Sequence, residues 1–172
     1  METGLAVASK RDVRHFDSRP IPAEVQERIL DAGRLAGSAH NRQPWRLVVT
    51  EQPAMRAGLA TAVYTPANVV GGPLAVTIAV TPGGAMTDFD AGRAAQNMML
   101  VAWDQGVASC PNGIHDRVRV AGLLGLAGDE RPVVLLSFGY PIRAADPARR
   151  SAEEWSRRAW RAPLEQLVRR LP

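Results

Sequence analysis

The chain of 172 residues contains one cysteine, Cys110. A single thiol excludes an intrachain disulfide and any zinc site built on paired cysteines, and it sets the expectation of a reducing, cytoplasmic setting. Lysine is almost absent. Lys10 is the only one among 21 basic residues, so the formal charge of +4 is carried by arginine. Arginine's planar fork suits phosphate oxygens, whether in a nucleotide cofactor or a nucleic acid. Aromatic residues make up 5% of the chain and do not interleave with the C-terminal arginines. A nucleic-acid module there would lack its stacking faces, and no nucleic-acid partner is expected.

Long hydrophobic runs are missing as well. The longest, "LAVTIAV" and "PVVLLSF", fall far short of the roughly 20 apolar residues that span a bilayer. The opening "METGLAVASKRDVRHF" has no basic region followed by a long apolar one, so neither a signal peptide nor a membrane association is expected. No repeat, low-complexity tract or linker divides the chain, and a single domain over residues 1–172 is the reading. No GxGxxG or GxxxxGK[ST] follows a strand-like run, no GxSxG elbow marks a nucleophile, and no cluster of His, Cys, Asp and Glu has metal-ligand spacing. No metal is expected.

What remains is a globular balance of 46% hydrophobic and 22% charged residues, enough for a core. Val25, Ile29, Ala32, Leu35 and Ala36 recur at helical spacing between Pro22 and Gly37. "RLVVT" (46–50), "PLAVTIAVT" (73–81), "VASC" (107–110) and "RPVVLLSFGY" (131–140) read as strands, and residues 53–63 and 116–126 as helices. The run 90–106 predicts the strongest helix, apolar nearly all round from Ala94 to Trp103, with an aspartate capping its start and Gly106 ending it. Ser151 with Glu154 forms a capping-box pattern that opens a helix to about Trp160. Strands and helices do not alternate regularly, which predicts an α+β fold.

Four stretches are more polar than their neighbourhood requires. "SKRDVRHF" (9–16) clusters Lys10, Arg11 and Arg14, either as a phosphate grip or as a solvated segment. "GSAHNRQPW" (37–45) offers Asn41 and Gln43, each able to donate and accept toward a planar heteroaromatic edge, beside a core-like Trp45. "CPNGIHD" (110–116) predicts a tight turn at Pro111, Asn112 and Gly113, with His115 as a general-base candidate or a surface residue. Arg157, Arg158 and Arg161 form a cationic face that is more simply read as solvated. Cations and amide donors without a nucleophile or metal describe a protein that binds and orients a cofactor.

In this order these stretches resemble the nitroreductase family of flavin mononucleotide (FMN) oxidoreductases. "KRDVRHF" is similar to the family's R-R-S-x-R-x-F, with Asp12 in place of serine. "GSAHNRQPW" is similar to its P-S-x-x-N-x-Q-P-W, with Gly37 in place of proline. "DAGRAAQNMMLVAWDQGVASC" resembles the long central helix and following strand, "LGLAGDERPVVLLSFGYP" the closing strand, and "RAPLEQLV" the tail with its last phosphate-binding arginine.

The resemblance implies a nitroreductase-like α+β fold: a central, mainly antiparallel mixed sheet flanked by helices, in an intertwined homodimer. It implies FMN, with Lys10, Arg11, Arg14 and Arg161 holding its phosphate and Asp12 as a like-charge neighbour that weakens or pre-orders that site. Ser38 and Asn41 would come from the partner subunit. Pro111, Asn112 and Gly113 would line the flavin ring, the last two presenting backbone N–H groups near N5. The implied activity is ping-pong transfer of hydride from NAD(P)H through FMN to nitro, quinone or enone-like small-molecule acceptors, with no protein residue as catalyst. A biosynthetic flavoenzyme working on or with a deazaflavin, and a non-catalytic flavin-binding protein, are the alternatives. The short span from Val63 to Pro73 implies few covering helices.

Overall fold

The computed structural model describes residues 1–171 as two compact units, Arg11–Ala145 and the pair of termini, Met1–Lys10 with the chain from Asp146 onward. The larger unit is built on four strands, β1 (Trp45–Thr50), β2 (Leu74–Val80), β3 (Ala108–Asn112) and β4 (Arg131–Gly139), in the order β1-β2-β4-β3 and antiparallel throughout. All seven residues of β2 are buried. Leu74, Val76, Ile78 and Val80 enter one apolar core with Ile29, Ala94, Met98 and Phe138, while Ala75 enters a second with Leu59, Val69, Val120 and Leu135. That division follows the period-two alternation of a strand covered on both faces.

Helices α2 (Ala23–Arg34) and α5 (Thr87–Asp104) cover the first face, and α3 (Pro53–Ala60), α4 (Pro66–Gly71) and α6 (Arg117–Leu124) the second. The register of β2 against β4 shifts between Ile78 and Ala79, opposite Pro132, whose missing N–H makes it suited to a bulge. Gly106 closes α5 in a left-handed conformation, φ 74°, as its place in the sequence predicts. Asp116 caps α6, accepting from the Arg119 N–H at 2.9 Å. Arg56 is buried on α3, where its guanidinium donates to the Glu51 and Pro73 carbonyls and ties the helix to the start of β2. Burial pulls its pKa down, with Glu51 opposing.

In the terminal unit α1 (Thr3–Ser9) packs against α7 (Ala152–Arg157), and α8 (Leu164–Leu167) follows. The Glu2 carboxylate caps α1, accepting from Gly4 and Leu5 N–H at 2.7 and 2.8 Å, and these bonds hold its pKa below the ordinary value. The predicted capping box is formed at Ser151 and Glu154.

Four expectations need correcting. No aspartate caps α5: Met86 occupies the N-cap, and Asp90 lies one turn inside, buried. The helix opened by Ser151 ends at Arg157, and Trp160 takes a left-handed φ of 51° beyond it. Pro111 and Asn112 belong to β3 and not to a tight turn, because pairing with β4 overrides their turn chemistry. Helices α1 and α4 have no counterpart in the sequence reading, since each is too short for a helical period to register.

Gly33 illustrates how closely α2 and α5 meet. A Cβ there would lie 2.8 Å from the Sδ and 2.9 Å from the Cγ of Met98, which is fully buried. Alanine gains about 1 kcal/mol in helix propensity, but overpacking a closed core costs about 1–3 kcal/mol. Gly33→Ala is expected to lower stability by about 1 kcal/mol in urea denaturation. In a Met98→Ala background the same change should stabilise, and equal effects in both backgrounds would refute the contact as its cause.

Candidate functional site

The segment 11–17 runs along the outer edge of β3. Asp12 forms a parallel bridge with Ser109, and the Val13 N–H donates to the Ser109 carbonyl at 3.1 Å. Farther on, the Asp17 N–H donates to the Tyr140 carbonyl at 2.8 Å, and the Arg19 guanidinium lies 3.6 Å over the Tyr140 ring. This backbone docking fixes the course of a segment in which Arg11 is half-buried and Arg14 exposed, while Val13 and His15 line a cleft of about 470 Å³ with Pro141–Arg143. Lys10 ends α1, its N–H donating to the Ala6 carbonyl. Arg161, in the terminal unit, is exposed and donates to the Ala159 carbonyl at 2.9 Å.

At the far end of β3, Asn112 is buried in a polar cluster. Its amide donates to the Cys110 and Leu135 carbonyls at 3.1 Å each and to Ser137 Oγ at 2.9 Å, while its Oδ1 accepts from Asn68 at 3.0 Å. The Asn112 side chain is thus a structural tie across β3, β4 and α4. Its neighbours Pro111 and Gly113 are exposed. The Gly113 carbonyl accepts from Tyr64, Val63 bridges Ile114, and the His115 N–H donates to the Ala62 carbonyl. His115 is exposed and meets the exposed Tyr64 ring edge-on at 5.4 Å.

The stretch "GSAHNRQPW" forms the third element and is strained. His40, Asn41 and Gln43 all have positive φ, between 50° and 54°, a conformation that costs a non-glycine residue about 1–3 kcal/mol and persists only where its surroundings impose it. Ser38 Oγ accepts from the Gln43 N–H at 2.8 Å, and Gln43 donates to Asn41 Oδ1 at 3.2 Å. Arg42 reaches the Gly83 carbonyl, and the Pro44 carbonyl accepts from Thr81 at 3.0 Å. Trp45 is buried, as expected of a core residue.

Lys10 and Arg161 belong to the terminal unit, and within the larger unit the expected site residues fall into two places. Arg11, Asp12 and Arg14 lie on the segment beside β3, Pro111 and Asn112 on β3 itself, and Gly113 directly after it. Ser38 and Asn41 precede β1, on the opposite edge of the sheet. Trp45 aligns with Val80 and Val80 with Arg131, whereas Ala108 aligns with Gly139 at the other end of β4. Eight residues along β4 and three strand spacings across amount to roughly 30 Å. Sequence reading missed Asn68 and Ser137, which join the Asn112 cluster, and the loop contacts of Asp90 and Arg93. A polar residue inside "PANVVG" and one inside "PVVLLSF" were the only signals for the first pair. Among the described residues no group of three His, Cys, Asp or Glu side chains could hold a metal, and no helix is long and apolar enough to cross a membrane.

Comparison with known proteins assigns this architecture. The chain is 24% identical to an NADH dehydrogenase of Thermus thermophilus, over 98% of this chain and 95% of the relative. A nitroreductase family protein of Clostridium difficile 630 superposes with a TM-score of 0.80 at 25% identity, covering 98% of both chains. An FMN-dependent nitroreductase of Clostridium difficile R20291 shares the fold at a TM-score of 0.77 and 19% identity, over 89% of this chain and 96% of that one. The sequence model of the nitroreductase family matches residues 7–82 and 77–140, so the α+β unit with its antiparallel sheet has the nitroreductase fold and the chain belongs to the nitroreductase family.

Proposed function

We propose that the protein is an FMN-dependent oxidoreductase that uses a reduced nicotinamide to reduce small planar acceptors of the nitro, quinone or enone type. The observation that carries this reading is the strained loop 38–43: three left-handed non-glycine residues hold Ser38 and Asn41 at the surface, and such strain concentrates at binding sites. The relatives' names, an NADH dehydrogenase and an FMN-dependent nitroreductase, agree with the donor and the cofactor.

The residues present fit FMN by the chemistry of their donors. Arg11 and Arg14 offer guanidinium forks to a phosphate dianion, with Lys10 preceding them in the chain. Backbone docking of 12–13 onto Ser109 fixes the segment that carries them. Pro111 and Gly113 present an exposed, side-chain-poor surface for a planar ring, backed by the rigid Asn112 cluster. Bound FMN would supply the hydride chemistry, and the protein's part is to bind, orient and leave one face open to donor and acceptor in turn. The span from Val63 to Pro73 holds only the six-residue α4, which favours access by bulky acceptors.

Ser38 and Asn41 lie farther from Arg11 and Arg14 than one flavin reaches. This separation supports a homodimer in which a twofold axis brings the loop of one copy to the β3 edge of the other, giving two composite sites.

The visible absorption spectrum of protein purified without added flavin, then reconstituted with FMN and freed of excess, tests the proposal. A retained flavin spectrum together with quinone-dependent NADH or NADPH oxidation is expected, and a colourless protein that takes up no FMN would overturn it. Arg14→Glu, at an exposed position, should weaken FMN binding by about 100-fold, corresponding to the loss of one or two charge-assisted bonds. Asp12→Ser should bind at least as tightly as the parent, because it removes a carboxylate from beside the phosphate; weaker binding would show that Asp12 orders the arginines instead.

A further inference from the structure

Asp90 has no part in the ligand contacts expected of this fold, yet it is one of the few buried carboxylates, 3% exposed, in the first turns of α5. Its Oδ2 accepts from the Ala39 N–H at 2.9 Å, across 51 positions of chain, and its Oδ1 lies 3.7 Å from Arg93 Nη1. The Arg93 guanidinium in turn lies against Gly37, where an added Cβ would require it to move aside. Asp90 therefore holds the loop at Ala39 by a hydrogen bond, and Arg93, paired with Asp90, packs against it at Gly37. Between and just after these places stand Ser38 and the strained residues His40, Asn41 and Gln43.

We infer that Asp90, braced by Arg93, is the positioning residue that imposes the left-handed course of loop 38–43 and so presents Ser38 and Asn41 to FMN. The inference rests on the proposed flavin function. Three left-handed residues carry several kcal/mol of strain in sum; the loop's own bonds, Ser38 to Gln43 and Gln43 to Asn41, close it locally, and Arg42 to Gly83 and Thr81 to Pro44 tie down only its exit toward β1. The charge-assisted bond to a buried carboxylate supplies the anchor at its entry, since an amide N–H accepted by a carboxylate is stronger than a neutral pair and removing the carboxylate leaves the half-buried Ala39 N–H without this acceptor. Gly37, standing where the family pattern has proline, is the position that gives Arg93 its room.

Two readouts separate this role from a merely structural one. Amide hydrogen exchange over residues 37–44, followed by mass spectrometry, should accelerate at least tenfold in Asp90→Ala while the segments of α2 and β2 keep their protection. The Kd for FMN should rise about 10- to 30-fold in the same variant. Asp90→Asn keeps an oxygen for the Ala39 N–H and should restore both to within about threefold. If Asp90→Ala does not fold, Arg93→Ala, at a half-exposed position, tests the brace by the same exchange measurement, with a smaller acceleration confined to 37–44. A folded Asp90→Ala with parental exchange and FMN affinity overturns the inference alone, as does an Arg93→Ala loop that exchanges like the parent. A parent protein that binds no FMN overturns the proposed function, and the flavin part of this inference with it.

Discussion

Coverage of β2 on both faces is the constraint from which the rest of the larger unit follows. A strand with seven buried residues leaves no place in the middle of the sheet for a polar site. Its even-numbered residues require α2 and α5, its odd-numbered ones α3, α4 and α6, and β4 beside it is bound by the same demand. Apart from the small buried cluster of Asn112, Asn68 and Ser137 and the buried Thr77, the polar stretches singled out by sequence lie at the two edge strands or in the terminal unit. At β3 the edge is taken up by the docked segment 11–17, which satisfies backbone groups an edge would otherwise expose. At β1 the polar residues sit in the loop that leads into the strand, and there the chain accepts backbone strain.

The two edges solve different problems. Beside β3 the segment that carries Arg11 and Arg14 rides on backbone fixed by strand-like bonds. Ahead of β1 no ladder is available. The loop is shaped instead by side chains, with Asp90 accepting from Ala39, Ser38 accepting from Gln43 and Arg42 reaching Gly83. A site built on the first kind of support tolerates side-chain change. One built on the second depends on a few specific side-chain contacts, of which that of Asp90 is the buried one.

This difference also explains how far the sequence could be read. β2, β4 and α5 were legible because burial writes a pattern several residues long, and the Ser151–Glu154 box because its chemistry is confined to four residues. The polar stretches 9–16, 37–45 and 110–116 were legible as stretches, and as family motifs once taken in order. The role of Asn112 was not, because Pro-Asn-Gly is turn chemistry until β4 pairs with it, and the partners that hold its side chain, Asn68 and Ser137, come from 44 and 25 positions away. Asp90 was read as a cap, since an aspartate near a helix start has that local explanation. Its actual partner, Ala39, is a backbone group, and no residue type announces such a contact.

The same logic sorts the chain's two departures from the family pattern. Gly37 replaces a proline where Arg93 now occupies the space a side chain would fill, so it is a packing change coupled to α5. Asp12 replaces a serine at a position whose backbone is bridged to Ser109. That bridge is made by main-chain atoms and survives any side chain at 12, so the course of the segment past β3 is unaffected. What Asp12 alters is the charge beside Arg11 and Arg14. The departure at 37 is therefore steric and tied to loop geometry, while the departure at 12 is one of charge, and neither requires the fold to change.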